Sequence, residues 1–228
     1  ERERTSDERL RGAKFCVSSF HLASFWNGLV TDTFSLFSHS LSLSTSFHVK
    51  QEYFKEQDDS KRTGNYTDVV NKYYDLATSF YEYGWGESFH FAHRYKWETL
   101  RESIVRHEHY LASKLNVKKG DKVLDVGCGI GGPLREIAAF TGADVTGLNN
   151  NAFQISRGEQ MNKSTGRHDN CGFIKADFMK IPVPDNTYDA VYQIEATCHA
   201  PDAEKCYAEI FRVLKPGGVF ASYEWCLT

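Results

Sequence analysis

From residue 123 onward, short apolar runs take turns with stretches of helical period. Val123, Leu124 and Val126 form one such run, a glycine-rich segment closes it, and Leu134, Ile137 and Ala138 then recur at helical spacing. Strand patterns follow over 143–148, 172–175, 188–194 and 219–225, with helical patterns over 154–164 and 203–214. Strands and helices alternating in this way predict an α/β fold, a doubly wound and mainly parallel sheet. Upstream, Val69, Val70, Tyr73, Tyr74, Leu76, Ala77 and Phe80 predict a helix over 66–81, and a second is expected over 96–115. Between the two lies YEYGWGESFHF (81–91), whose glycines break regularity and whose rings are too many for one face. Such a stretch suits the wall of a pocket for a large, flat, apolar ligand.

The first 65 residues read differently. Residues 1–12 are nearly all charged or polar and are expected to be solvated. Residues 13–49 turn abruptly to Phe, Ser, Leu and His, with Asp32 the only formal charge after Lys14. Polar residues interrupt every apolar run before it reaches the roughly 20 residues of a membrane span, and no helical period is sustained. Residues 50–65 read as a linker. The expected organisation is therefore an N-terminal extension and linker over 1–65, followed by one domain over 66–228.

Charge and cysteine usage narrow the class. A net charge of −3 supplies no basic field for nucleic acid. The 6 cysteines include no CxxC pair, which disfavours a zinc site and a disulfide framework and favours a reducing compartment. Cys128 and Cys198 fall in candidate site loops and are read as small packed apolar residues. His90 with His93, and His107 with His109, lack a third ligand, so no metal is expected.

The chemistry centres on VLDVGCGIGGP (123–133). Gly127, Gly129, Gly131 and Gly132 allow a sharp turn and a close approach to a ligand, and Pro133 suits a first helical position. Strand, glycine turn and helix N-terminus make a nucleotide-binding corner. Gly127, Gly129 and Gly132 also satisfy the dinucleotide spacing GxGxxG. Against that reading, Asp125 stands just before the first glycine, and the next strand ends at Asn149 rather than an acid. A carboxylate here repels a pyrophosphate and suits the ammonium and sulfonium charges of S-adenosylmethionine. Asp125, Asn149, Asp177, Glu195 and Glu224 all fall at expected strand ends, the ligand-binding edge of such a sheet.

The first of these motifs resembles that of the class I methyltransferases. Together, YEYGWGESFHF, LDVGCGIGGP, GLNNN, DFMK, IEATCHAP and VLKPGG with YEW resemble the sterol C-24 methyltransferases, the plant type above all, over residues 66–228. The resemblance implies methyl transfer from S-adenosylmethionine to C-24 of a Δ24-sterol side chain, without a metal. It implies cofactor contacts from Asp125 to the ammonium, Gly127, Gly129 and Gly131 under the methionine portion, Asn149 to the ribose, and Asp177 and Phe178 to the adenine. Tyr81, Glu82, Tyr83, Trp85, Phe89 and Glu224 would face the sterol, and the final base stays open among Glu195, His199 and Tyr83. Implied partners are a sterol, a peripheral contact with the cytoplasmic face of the endoplasmic reticulum, and a second copy of the chain. Class I enzymes continue for two strands past the position of Thr228, and this family adds a sterol-facing region. The sheet is therefore expected to be incomplete, with an open edge along 219–225, prone to self-association and poor in catalysis. A methyltransferase of another lipophilic acceptor (tocopherol-type) and a non-catalytic cofactor-binding fragment are the alternatives.

Overall fold

The computed structural model describes residues 14–19, 59–167 and 169–225, with side chains from residue 66 on, 69 excepted. The elements in chain order are β1 (Lys14–Ser19), α1 (Asp59–Trp85), α2 (Leu100–Leu115), β2 (Lys122–Val126), α3 (Gly132–Thr141), β3 (Asp144–Asn149), α4 (Ala152–Ser164), β4 (Cys171–Lys175), β5 (Tyr188–Ile194), α5 (Ala203–Val213) and β6 (Leu214–Glu224). The six strands form one sheet in the order β1-β6-β5-β2-β3-β4. Every pairing is parallel.

Alternation along the strands divides the core between two faces. Val123, Val145, Ala190, Tyr192, Ala221 and Tyr223 pack with Leu111 and Leu115 of α2 and with Leu134 and Ile137 of α3. Leu124, Val126, Leu148, Val191 and Phe220 pack on the other side against Ile210 and Val213 of α5. Strands covered on both faces read as near-continuous apolar runs, and β5 is accordingly almost wholly buried. Since β2 lies between β5 on one side and β3 on the other, the strand order changes direction there, and the crevice of such a sheet opens beyond the strands' carboxyl ends at that point.

Helix termini follow local chemistry. Thr99 caps α2 in a reciprocal box with Glu102, and Asn116 ends it in the left-handed region. Asn151 and Asp202 cap α4 and α5 by accepting from the amides of Gln154 and Lys205.

Several expectations need correction. Helix α1 begins at Asp59, inside the expected linker, and runs on through Gly84 to Trp85, so the first part of the aromatic motif is helical. Its partner α2 starts at Leu100 rather than residue 96, because the Thr99 box sets the entry. The edge expected to be open along 219–225 is covered: Lys14–Ser19 lies parallel to it, in register from Lys14 with Val219 to Ser19 with Glu224. The readings made for residues 1–12 and 20–49 lie outside the described residues. Among the described residues, no helix is long and apolar enough to cross a membrane.

Candidate functional site

A cleft opens where β2 and β5 end and α1 crosses above them. It is lined by Tyr66, Val70 and Tyr74 from α1, by Phe89 and His90, by the 127–130 turn, and by Asn149, Gln154, Phe178, Glu195 and His199. Asp125 lies at its floor. The carboxyl is 2% exposed, and its Oδ2 has no hydrogen-bond partner among the described residues. Burial pushes its pKa up to about 7, against the opposing influence of the Tyr192 hydroxyl. A buried carboxyl lining a cleft, with an oxygen not fully satisfied by the protein, is poised for a cationic ligand group.

The glycines serve different ends. A Cβ on Gly127 would lie 2.3 Å from Ala196 Cβ, and one on Gly132 would lie 2.1 Å from the carbonyl oxygen of Glu87. One on Gly131 would meet the Phe173 ring at 2.7 Å. These three are therefore required by packing of the protein on itself, and Gly131, expected under the cofactor, instead accommodates Phe173. Gly129 differs: its φ is +55°, and a Cβ would find only Phe89, at an ordinary 3.6 Å. Space above the turn is left for a ligand at this position.

The aromatic segment is clamped to that corner. Its backbone crosses Gly132, and the buried Arg135 donates to Glu87 Oε2 at 2.8 Å and to the Ile130 carbonyl at 3.0 Å. Tyr81 packs on Phe89 with ring centroids 5.5 Å apart and on Trp85 at 5.6 Å. Phe91 joins Trp85 to Trp225 edge-on. Tyr74 brings its hydroxyl to 3.3 Å from His199 Nε2. Aromatic faces thus continue the cleft toward one side.

Glu195 is held in an unusual conformation, with φ +52°. A non-glycine residue there stores strain that the surroundings must offset, a pattern that clusters at functional sites. Its Oε1 accepts from the Phe91 amide at 3.1 Å, and burial pushes its pKa up to about 7. Burial holds the His199 ring below its ordinary pKa, against the opposing charge of Glu224. The loop carrying both is fixed from beneath. Gln193 Oε1 accepts from Ala196 N at 3.0 Å, and Glu224 Oε2 accepts from Cys198 N at 2.8 Å and Thr197 Oγ1 at 2.6 Å.

Other expected site residues are placed elsewhere. Tyr83 is 84% exposed, because residues two apart on a helix point to opposed sides and α1 turns Tyr81 inward. Glu82 is bound by Arg157, whose Nε donates at 3.0 Å, and it lies off the cleft. Glu224 is occupied by the 197–198 loop. Asp177 takes the Tyr66 hydroxyl on Oδ2 and the Met179 amide on Oδ1 at 2.8 Å, so it ties the start of α1 to the turn after β4. Asn149 faces the cleft with its amide donating to Gln154 Oε1 at 2.7 Å. Cys128 is buried and Cys198 exposed. Among the described residues, no group of three or more His, Cys, Asp or Glu could hold a metal. Sequence reasoning passed over Tyr66, Tyr74 and Gln154 as cleft residues, since their spacing in the sequence marks only helix packing.

Comparison with known proteins agrees with this architecture. A methyltransferase-domain family model matches residues 124–222. The cycloartenol-C-24-methyltransferase of Arabidopsis thaliana is 67% identical over 77% of this chain and 52% of its own length. Cycloartenol-C-24-methyltransferase 1 of Oryza sativa subsp. japonica is 72% identical over 73% of this chain and 48% of its own. Among solved structures, the cyclase SpnF superposes with a TM-score of 0.64 at 26% identity, over 68% of this chain and 58% of that one. The chain thus spans about half the length of the curated relatives it matches. The class I fold, the acid-and-glycine corner and an identity of 67–72% over the matched residues together make this chain similar to one half of the plant sterol C-24 methyltransferases.

Proposed function

We propose that the cleft binds S-adenosylmethionine and that its methyl group passes to C-24 of a Δ24-sterol, in sterol biosynthesis. The observation that carries this reading is the buried, unsatisfied carboxylate of Asp125 beside the open face of Gly129. Asp125 would answer the ammonium, and Asn149, Gln154 and Phe178 would surround the nucleoside. When bound, S-adenosylmethionine supplies an electrophilic methyl group. The sterol alkene would bond to that methyl carbon as its bond to sulfur breaks and S-adenosylhomocysteine leaves; the adjacent carbon would carry the positive charge, a hydride would shift, and loss of a proton from the new methyl group would close a double bond.

For this chemistry the chain contributes surroundings rather than a nucleophile. Tyr74, Tyr81 and Phe89 would offer π faces to the transient cation and exclude water from it. Glu195 would set a negative charge opposite, and Glu195 or His199 would take the proton. Tyr83 leaves the set of candidates because of its exposure. Sterol delivery from a lipid surface fits the aromatic character of this side of the cleft.

Incubating the chain with methyl-labelled S-adenosylmethionine and cycloartenol tests the proposal. Label recovered at C-24 of the sterol supports it. Absence of any S-adenosylmethionine binding refutes the reading, and label recovered only in an acceptor other than a sterol refutes its acceptor part.

A further inference from the structure

Where His90 meets the wall of the cleft, it forms a buried pair with Glu108 that methyl transfer does not itself require. His90 and Glu108 are 2% and 1% exposed. His90 Nε2 lies 3.0 Å from Glu108 Oε1, and Nδ1 lies 3.1 Å from the carbonyl of Phe91. The Ser88 hydroxyl donates to the same Glu108 oxygen at 2.7 Å. Both ring nitrogens therefore face oxygens, a carbonyl that only accepts and a carboxylate that only accepts when ionised. A ring carrying both protons satisfies the two at once. Phe91 links this pair to the cleft: its carbonyl takes His90, and its amide holds Glu195.

We propose that His90 and Glu108 form a buried ion pair whose imidazolium is a fixed positive charge in the wall of the cleft, positioning Glu195 as an anion toward the acceptor. The role given to Glu195 rests on the function proposed above; the charge state of the pair does not.

The surrounding charges determine what the pair can influence. Burial opposes the charge on His90, while the hydrogen bond and charge of Glu108 and the Phe91 carbonyl raise its pKa above the ordinary value. Its other ring neighbour, His107, has a centroid 5.5 Å away and is driven down to about 3, chiefly by burial, so it stays neutral. Around Glu195, burial and the Glu224 charge favour the protonated form; His90, the Phe91 amide and the Trp225 side chain favour the anion. The Cys198 thiol, raised above its ordinary value, and the His199 ring, lowered from its own, add no charge. Asp125 responds to both members of the pair, in opposite directions. Neutralising the pair should therefore move the titration of Glu195 upward and leave that of Asp125 nearly in place.

Nuclear magnetic resonance on the 228-residue chain reads these states without turnover. The His90 ring nitrogens, assigned through His90→Gln, should report an imidazolium at pH 7.5. The Glu195 carboxyl carbon should titrate at least about half a unit higher in Glu108→Gln, roughly a threefold change in its proton affinity, while the Asp125 carbon shifts by less. A neutral His90 ring at pH 7.5, or an unmoved Glu195 midpoint in a folded Glu108→Gln protein, would overturn the proposal. Should that variant not fold, the ring state of the unmodified chain decides alone. S-adenosylmethionine titrated into the same samples keeps the two ideas separate, since failure to bind it refutes the cleft's assignment and leaves the pair's charge intact.

Discussion

At the residue scale, the glycine corner shows how one motif mixes two kinds of necessity. Gly132→Ala sets a methyl group 2.1 Å from a backbone oxygen of the clamped aromatic segment. Backbone cannot yield as a flexible side chain does, so overpacking of this kind should cost about 1–3 kcal/mol. A lower melting temperature is the expected reading. Gly129→Ala should fold with a backbone strain of about 1 kcal/mol, since its φ of +55° is left-handed and its surroundings are open. Its affinity for S-adenosylmethionine, measured by calorimetry, should fall at least tenfold, about 1.4 kcal/mol. The sequence shows both glycines and cannot tell them apart, because what crosses Gly132 is a segment some 45 residues away in the chain. Asp125 was legible for the opposite reason: strand parity and the adjoining turn place it without reference to distant residues.

At the element scale, strand β5 could be read residue for residue, from Tyr188 to Ile194, because a parallel strand buried on both faces is a mostly apolar run, here broken only by Asp189 and Gln193. Helix α1 was less legible. Its glycine at position 84 reads as a stop, yet tertiary packing of Tyr81 and Trp85 outweighs the roughly 1 kcal/mol that a helical glycine costs. This matters for the acceptor wall, since once 81–85 is helical its rings no longer share one side. Tyr83→Leu, on the exposed face, should leave turnover within about twofold. Tyr81→Leu keeps apolar area but removes a π face, and should lower kcat more than it raises KM, as a group that meets charge only along the reaction path does. Equal effects from the two substitutions would show that the helix does not face the acceptor. The loop after β5 depends in the same way on what β6 brings to it. Glu224→Gln weakens its hold on Thr197 and Cys198, and faster amide exchange over 196–199 is expected.

For the whole molecule, parallel topology was legible in the alternation of strands and helices, and with it the position of the cleft. The cover on β6 was not. Strand β1 comes from a stretch without periodicity, and parallel pairing across that separation leaves no local trace. Unpaired strand edges template association, so removing residues 1–20 should shift the chain toward larger species in light scattering, with no change in the cofactor corner.

The cleft also ties stability to ligand. The raised pKa of Asp125 means that the folded, ligand-free chain holds a proton that the unfolded chain has lost between about pH 4 and 7. Its contribution to stability is present below that window and is lost as pH rises through about 7. Asp125→Asn should therefore raise the melting temperature of the ligand-free chain at pH 8, the reverse of its effect on binding.

The most direct test is a calorimetric titration of S-adenosylmethionine into the chain and its Asp125→Asn variant between pH 6 and 8.5. The carboxylate must be ionised to meet the ammonium, so affinity should rise as pH passes about 7 and then level off. The variant should bind at least tenfold more weakly at pH 8, about 1.4 kcal/mol, with the dependence on pH flattened. A folded Asp125→Asn chain that binds as tightly as the unmodified one at pH 8 would contradict the account.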